Sequence, residues 1–121
     1  MVKRILVVED VEDNRQIMRD LLASAGIECL EAHDGQSAVL AAAELRPDLI
    51  MMDVQLPVLD GYEAIRRIKA DSELRDIPII AVTSYALSGD EERALSAGCD
   101  RYVAKPFSPR QLLATIRELL P

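Results

Sequence analysis

The chain alternates between short apolar runs and longer segments in which apolar positions recur every three or four residues. Five of the runs predict β-strands, at residues 4–8, 27–32, 48–53, 78–83 and 101–105. The first, third and fourth are almost continuously apolar, which is typical of strands that are covered on both faces of a parallel sheet. The second is less apolar, and the fifth is short.

A predicted helix follows each strand. The first helix ends at Gly26, and the apolar residues of one face are Ile17, Met18, Leu21, Leu22 and Ala25. The other helices are predicted at residues 36–45, 61–71, 91–97 and 111–120. Five such βα units predict a doubly wound α/β domain, in which a five-stranded parallel sheet carries helices on both faces in the flavodoxin-like topology. Residues 1–121 are predicted to form one domain, because the length suits a single core.

Composition narrows the class of function. Half of the 121 residues are hydrophobic, but three Tyr, one Phe and no Trp leave a mainly aliphatic core. The net charge of -7 argues against non-specific nucleic-acid binding and is compatible with protein or cation partners. Since the chain has no N-terminal signal and no apolar run of roughly 20 residues, we expect a cytoplasmic protein without membrane insertion. Cys29 and Cys99 match no metal-ligand spacing and are expected to be free thiols.

The carboxyl ends of the predicted strands carry the candidate chemistry. In a doubly wound sheet, ligands bind outside these ends. The polar residues found there are Glu9 and Asp10, then Asp53, Thr83 and Lys105 on three further strands. Each residue alone has an ordinary interpretation as a helix cap, a strand residue or a surface lysine. Their arrival at one edge of the sheet predicts a functional site.

Three converging carboxylates repel one another, and a hard divalent cation relieves that repulsion. Oxygen ligands favour Mg²⁺, while the lack of His and Cys at these positions argues against zinc. An Asp can be the nucleophile in phosphoryl transfer, and a metal ion, an ammonium and a hydroxyl around it would neutralise the transferred group. The pattern therefore predicts that Asp53 is phosphorylated.

Four segments of the chain resemble those of the bacterial response-regulator receiver domain. They are the Glu9-Asp10 pair and the motifs MMDVQLPVLDG (51–61), IIAVTSYA (79–86) and YVAKPF (102–107). Each motif is modest alone, but together and in this order the motifs are highly specific. The resemblance covers essentially the whole chain. The chain is similar to stand-alone receivers of the CheY and DivK type. The alternative is a receiver domain excised from a hybrid sensor kinase or a multidomain regulator.

The resemblance implies a role for each site residue. Asp53 matches the phospho-acceptor, and Thr83 and Lys105 match the switch hydroxyl and the phosphate-binding lysine. Tyr102 matches the aromatic residue that swings inward when the phosphoryl group pulls on the hydroxyl. The implied Mg²⁺ ligands are Asp10 directly, Glu9 largely through water, Asp53 and the backbone carbonyl of Gln55.

The resemblance also implies partners. The phosphoryl donor would be a histidine kinase or a histidine phosphotransfer protein, and the phosphorylated form would bind a downstream protein target. The chain would act only in its own phosphorylation and dephosphorylation, not as an enzyme on a separate substrate. His33 lies in a predicted turn and matches no donor site. The Lys105-Pro106 bond is expected to be cis, and Tyr85 could compete with Tyr102 for space.

Two other classes of protein share part of this pattern. A flavodoxin-like electron carrier has the same topology, but it requires phosphate-binding loops rather than the carboxylates found at residues 9–13. An absorbance spectrum would reveal a bound flavin. A haloacid-type phosphatase also uses Asp and Mg²⁺, but it requires a second Asp two residues after the nucleophile, where this chain has Gln55. Steady turnover of a phosphate ester would favour that class.

Overall fold

The computed structural model describes residues 2–83, 90–105 and 107–120. Over these residues, strands and helices alternate as the sequence predicts. The strands are β1 (Arg4–Val8), β2 (Glu28–Ala32), β3 (Leu49–Asp53), β4 (Ile79–Thr83) and β5 (Arg101–Ala104). The helices are α1 (Glu12–Ser24), α2 (Gly35–Leu45), α3 (Gly61–Ala70), α4 (Asp90–Ala97) and α5 (Pro109–Leu119).

The strands form one sheet in the order β2-β1-β3-β4-β5, and each neighbouring pair is parallel. This confirms the predicted doubly wound α/β fold. The register aligns the carboxyl ends of the three central strands, since Val8 lies opposite Met52 and Asp53 lies opposite Val82. Residues that follow these strands therefore meet at one edge of the sheet.

Alternate residues of the central strands supply two separate hydrophobic cores, because successive side chains of a strand point to opposite faces. Leu6, Val8 and Ile50 belong to the core that packs under α2, α3 and α4. Ile5 and Val7 belong to the core that packs under α1 and α5. Helices on both faces explain why the central strands are apolar at nearly every position.

The predicted bounds of the helices and strands agree with the observed ones to within two residues. α1 ends at Ser24, before Gly26, whose φ of 74° is the left-handed conformation that glycine adopts without strain. Ile17 does not lie on the buried face with Met18 and Leu22, since it is 62% exposed. β2 lies at the edge of the sheet, which accounts for its exposed charged residues.

Several smaller predictions concern single residues. Cys29 and Cys99 are both free thiols, as expected. Burial raises the pKa of each thiol to about 11, so neither is a reactive thiolate at neutral pH. No helix within the described ranges is long and apolar enough to cross a membrane. The predictions for Tyr85 and for the Lys105-Pro106 bond involve residues outside the described ranges.

Candidate active site at the carboxyl edge of the sheet

Glu9 and Asp10 directly follow β1 but have different environments. Glu9 continues the line of the strand, since its backbone N–H donates to the Ala32 carbonyl at 3.1 Å, and it is only 5% exposed. Asp10 is exposed. Thus the first strand carries one carboxylate into the protein interior and leaves the next one facing solvent.

Donors surround one side of the Glu9 carboxylate. Its Oε1 atom accepts from the Asn14 side-chain amide and from Lys105 Nζ, the latter at 3.4 Å. Its backbone carbonyl accepts from Arg15 Nη1 at 2.7 Å. The other carboxylate oxygen, Oε2, is buried and has no hydrogen-bond partner among the residues that the structure describes. A buried carboxylate oxygen without a donor is costly unless a cation approaches it.

Asp53 ends β3 and is 6% exposed. Its Oδ1 atom accepts from the backbone N–H of Gln55 at 2.8 Å, which fixes the orientation of the carboxylate. Its Oδ2 atom lies 3.7 Å from Lys105 Nζ. Lys105 therefore bridges Glu9 and Asp53, and these two like charges share one ammonium group.

Gly61 allows the chain to turn sharply after Asp53. A Cβ atom at this position would overlap the backbone of Asp53 and Val54. The Gly61 N–H donates to the Val54 carbonyl at 3.1 Å, so α3 begins directly against the end of β3. Only glycine permits this approach, and the loop after Asp53 is thereby held close to the site.

Thr83 and Lys105 reach the site from the neighbouring strands. Thr83 ends β4 and is fully buried, and its backbone carbonyl accepts from the Lys105 N–H at 2.7 Å. Lys105 follows β5 and is about three-quarters buried along its side chain. Tyr102, on β5, is half-buried and packs against the core under α2, α3 and α4. The structure thus brings the predicted residues of four strands to one edge.

The two buried carboxylates respond differently to their surroundings. Burial and the adjacent Glu9 raise the pKa of Asp53 to about 7. Burial also acts to raise the pKa of Glu9, but hydrogen bonds with Asp53 and Asn14 and the charge of Lys105 lower it overall. At mildly acidic pH the pair therefore holds a proton on Asp53, while Glu9 remains charged.

Glu9, Asp10 and Asp53 have the geometry of a cation site. Each offers one carboxylate oxygen, and these oxygens lie within 4.8 Å of one another. The set contains only oxygen ligands, and Glu9 also has a buried carboxylate oxygen, Oε2, that receives no hydrogen bond from the described residues. The residues present therefore fit Mg²⁺, which prefers oxygen ligands and binds through one or two carboxylates.

Two cavities give access to these carboxylates. One, of about 470 Å³, is lined by Glu9, Asp53 and Lys105 and by apolar residues that include Ile17 and Phe107. The exposure of Ile17 is explained by this position at the cavity wall. The other cavity, of about 490 Å³, borders Asp10 and Gln55. The carboxylates are thus accessible both from the side of Lys105 and from the side of Asp10 and Gln55.

Two residues that contact Glu9 are absent from the set of site residues predicted from the sequence. Asn14 and Arg15 lie in the first turns of α1 and were not predicted to take part in the site. Their spacing from Glu9 could have indicated the contact. When a helix starts directly after a strand, side chains of its first turns lie near the end of that strand. That signal does not specify which of several polar residues at positions 12–16 makes the contact.

Comparison with known proteins gives concordant matches over nearly the whole chain. Residues 5–117 match the family model described as the response regulator receiver domain. The polar-differentiation response regulator DivK of Brucella anthropi is 45% identical over 120 residues, which are 99% of this chain and 98% of that protein. DivK of Brucella ovis is 44% identical with the same coverage.

Solved structures agree with these matches. The receiver domain of the sensor histidine kinase PA1611 from Pseudomonas aeruginosa, solved with a magnesium ion coordinated in its active-site cleft, superposes with a TM-score of 0.91. It is 42% identical, and the match covers 98% of each chain. The chemotaxis response regulator CheY4 of Vibrio cholerae also gives a TM-score of 0.91, at 30% identity over 99% of this chain and all of that one.

Proposed function

Because the chain belongs to the response regulator receiver domain family, and therefore accepts phosphoryl groups in two-component signalling, we propose that Asp53 is its phosphoryl acceptor. The donor is a phosphohistidine of a histidine kinase or of a histidine phosphotransfer protein. The response is altered binding to a downstream protein. The chain acts in the cytoplasm and turns over no separate substrate.

One observation carries the assignment to Asp53. Of the two buried carboxylates of the acidic cluster that lie near the Lys105 ammonium, Asp53, at 3.7 Å, is the one that ends the central strand β3, between Glu9 after β1 and Thr83 on β4. A phosphoryl group that arrives here meets the one cation already shared by the two buried carboxylates. A hydrogen bond between an ammonium and a phosphoryl oxygen is charge-assisted, and it is stronger than one between neutral groups.

The transfer itself forms one bond and breaks another. A carboxylate oxygen of Asp53 attacks the phosphorus, the phosphorus–nitrogen bond of the donor histidine breaks, and the bonding electrons remain on the imidazole. The unprotonated form of Asp53 is the nucleophile. The product is an acyl phosphate, whose added charge Lys105 and the Thr83 hydroxyl would bind.

We assign the Mg²⁺ site to Glu9, Asp10, Asp53 and the backbone carbonyl of Gln55. The spacing of the three carboxylates supports this assignment. The backbone of Gln55 lies beside them, because its N–H donates to Asp53 Oδ1. The ion would neutralise charge on the cluster and on the transferred group. Asp10 is the exposed ligand and Glu9 the buried one.

Thr83 and Tyr102 are the proposed switch. Thr83 is buried at the end of β4, so a movement of its side chain toward a phosphoryl group would leave space within the sheet edge. Tyr102 lies on β5, half-buried, opposite Ala81, which precedes Thr83 by two residues on β4. An inward shift of Tyr102 would alter the surface near α4 and β5, where the downstream protein would bind.

The experiment compares labelling by acetyl phosphate in wild type, Asp53→Asn and Asp13→Asn. Asp13 is an exposed carboxylate of α1 outside the acidic cluster, so it is a matched control. We expect one phosphoryl group per chain on wild type and on Asp13→Asn, measured by intact mass, and none on Asp53→Asn. Labelling of Asp53→Asn at the wild-type level would overturn the proposal.

A further inference from the structure

The first turns of α1 hold Glu9 at two points. Arg15 donates to the Glu9 backbone carbonyl at 2.7 Å and also forms ion pairs with Glu12 and Glu31. Asn14 donates its side-chain amide to Oε1 of the Glu9 carboxylate. Two successive helix residues thus fix both the backbone and the side chain of a buried carboxylate that precedes them by five and six positions.

The two oxygens of Glu9 have opposite environments. Oε1 accepts from both Asn14 and Lys105, whereas Oε2 is buried and receives no hydrogen bond within the described part of the chain. A carboxylate group can rotate about its last bond, so something must hold this asymmetry. A bond from the amide to Oε1 opposes rotation, because rotation would move the accepting oxygen away from its donor.

Lys105 is poorly suited to hold that orientation by itself. Its ammonium lies 3.4 Å from Glu9 and 3.7 Å from Asp53, and an incoming phosphoryl group would compete for it. Asn14 is neutral, so it can orient the carboxylate without repelling a cation. Its side chain is also not among the groups proposed to bind the phosphoryl group, which are Lys105 and the Thr83 hydroxyl.

We propose that Asn14 is a positioning residue for Mg²⁺, in that it holds Glu9 Oε1 so that Oε2 stays available to the ion. This inference rests on the proposed function, since it assumes that the acidic cluster binds Mg²⁺. Groups that orient a metal ligand through a hydrogen bond typically change metal affinity by about 10–100-fold when they are removed. Because Glu9 is one ligand among several, we expect the lower end of this range.

The test measures the Mg²⁺ dissociation constant of wild type, Asn14→Ala and Gln16→Ala by calorimetry, in phosphate-free buffer without a phosphoryl donor. Gln16 is a matched control, because it is an amide on the same helix that contacts Asp20 and Arg19 instead of Glu9. Asn14→Ala should bind Mg²⁺ about tenfold more weakly. Gln16→Ala should bind like wild type.

At saturating Mg²⁺, labelling of Asn14→Ala by acetyl phosphate should recover, which a general structural defect would not allow.

A double-mutant cycle with Glu9→Gln identifies the route of the effect. If Asn14 acts through Glu9, then Asn14→Ala should weaken Mg²⁺ binding much less in a Glu9→Gln background than in wild type. Asn14→Leu, which keeps the side-chain size but cannot donate, should match Asn14→Ala and serves if the alanine variant folds poorly. Equal Mg²⁺ affinity of wild type and both Asn14 variants would overturn this inference and leave the proposed function intact. Absence of Mg²⁺ binding by wild type would overturn both.

Discussion

At the amino edge of the sheet, carboxylates accept from backbone donors of neighbouring strands, whereas at the carboxyl edge two buried carboxylates lie close together and share one ammonium group. Asp48 precedes β3 and accepts from the Arg4 N–H at 2.8 Å. Asp100 precedes β5, and one of its oxygens accepts from the Ile79 N–H at 2.8 Å and from Lys69 Nζ at 3.1 Å. At the other edge, Glu9 and Asp53 share Lys105 at longer distances, and no described residue donates a hydrogen bond to Glu9 Oε2.

The difference separates stability from function within one sheet. At the amino edge, each of these carboxylates satisfies a backbone donor at the start of a strand, so removing it leaves a polar group without a partner. At the carboxyl edge, the native state holds two carboxylates of like charge in a buried position. These carboxylates can bind a cation, and Asp53 can accept a phosphoryl group. We therefore expect substitutions at the two edges to change stability in opposite directions.

The largest effect is expected from Asp100→Ala at the amino edge. This change removes the acceptor of the buried Ile79 N–H and the carboxylate that pairs with Lys69, whose side chain is only 17% exposed and which also donates to two backbone carbonyls. The free energy of unfolding should fall by about 2 kcal/mol, as is usual when a buried donor loses its partner. Urea unfolding followed by circular dichroism measures the change, and Mg²⁺ affinity should stay at the wild-type value.

Glu73→Ala is the matched control for Asp100→Ala. Glu73 also loses an ion pair, with Arg46 at 2.9 Å, but both side chains are more than half exposed. Its removal should cost less than about 0.5 kcal/mol, because solvent screens surface pairs. If both variants lost the same stability, the special role given to the amino-edge carboxylate would be wrong.

A smaller effect of opposite sign is expected from Asp53→Asn at the carboxyl edge. The amide keeps the size of the side chain but removes one of two neighbouring buried charges. In metal-free buffer at pH 7.5, the free energy of unfolding should rise by about 1–2 kcal/mol. This is only part of the free energy that corresponds to the raised pKa of Asp53, about 7. Destabilisation by Asp53→Asn under these conditions would remove the contrast between the two edges.

The pH dependence of wild-type stability gives a further, smaller test. The pKa of Asp53 is raised by burial from 3.8 to about 7, so between these values the native state keeps a proton that the unfolded state has lost. Stability is therefore greatest at the acidic end of this window and falls as pH rises through about 7. Without metal, we expect a loss of about 1 kcal/mol from pH 5 to pH 7.5.

The same measurement on Asp53→Asn isolates this group. The lowered pKa of Glu9 has the opposite effect, but this pKa lies below the usual value of 4.5 and so outside the range from pH 5 to pH 7.5. The Asn variant should therefore show a nearly flat profile, and its advantage over wild type should shrink at pH 5. A wild-type profile that rises across this range would contradict the assignment of the proton to Asp53.

Much of the fold and of the site follows from local sequence patterns. β1, β3 and β4 are apolar on both faces, and each is followed by a helical pattern, so a parallel sheet is the natural prediction. The carboxyl ends of parallel strands lie on one side, which is sufficient to bring Glu9, Asp53 and Thr83 together without knowledge of the helix packing. The motifs then identify the family.

The remaining features depend on relations between elements that no local pattern specifies. The contact from Asn14 to Glu9 depends on the angle at which α1 leaves the sheet, and so does the exposure of Ile17. The location of the shared proton depends on donors from α1 and from the end of β5, which favour the charged form of Glu9 over that of Asp53. Sequence reasoning finds the carboxylates but not the division of charge between them.

The smallest expected effect is the response of stability to Mg²⁺, and it links the two edges directly. A ligand that binds only the native state stabilises it by mass action, so a Mg²⁺ concentration equal to the dissociation constant should add about 0.4 kcal/mol to the free energy of unfolding. Asp100→Ala should show the same gain as wild type, because its defect lies at the opposite edge. Asp53→Asn should gain much less, because it lacks one ligand and the repulsion that the cation relieves. Melting curves with NaCl at matched ionic strength control for general screening, which would stabilise all three proteins alike. If Asp53→Asn responded to Mg²⁺ as strongly as wild type, the cation would not be acting at the carboxyl edge, and the poorly paired charges found there would need another explanation.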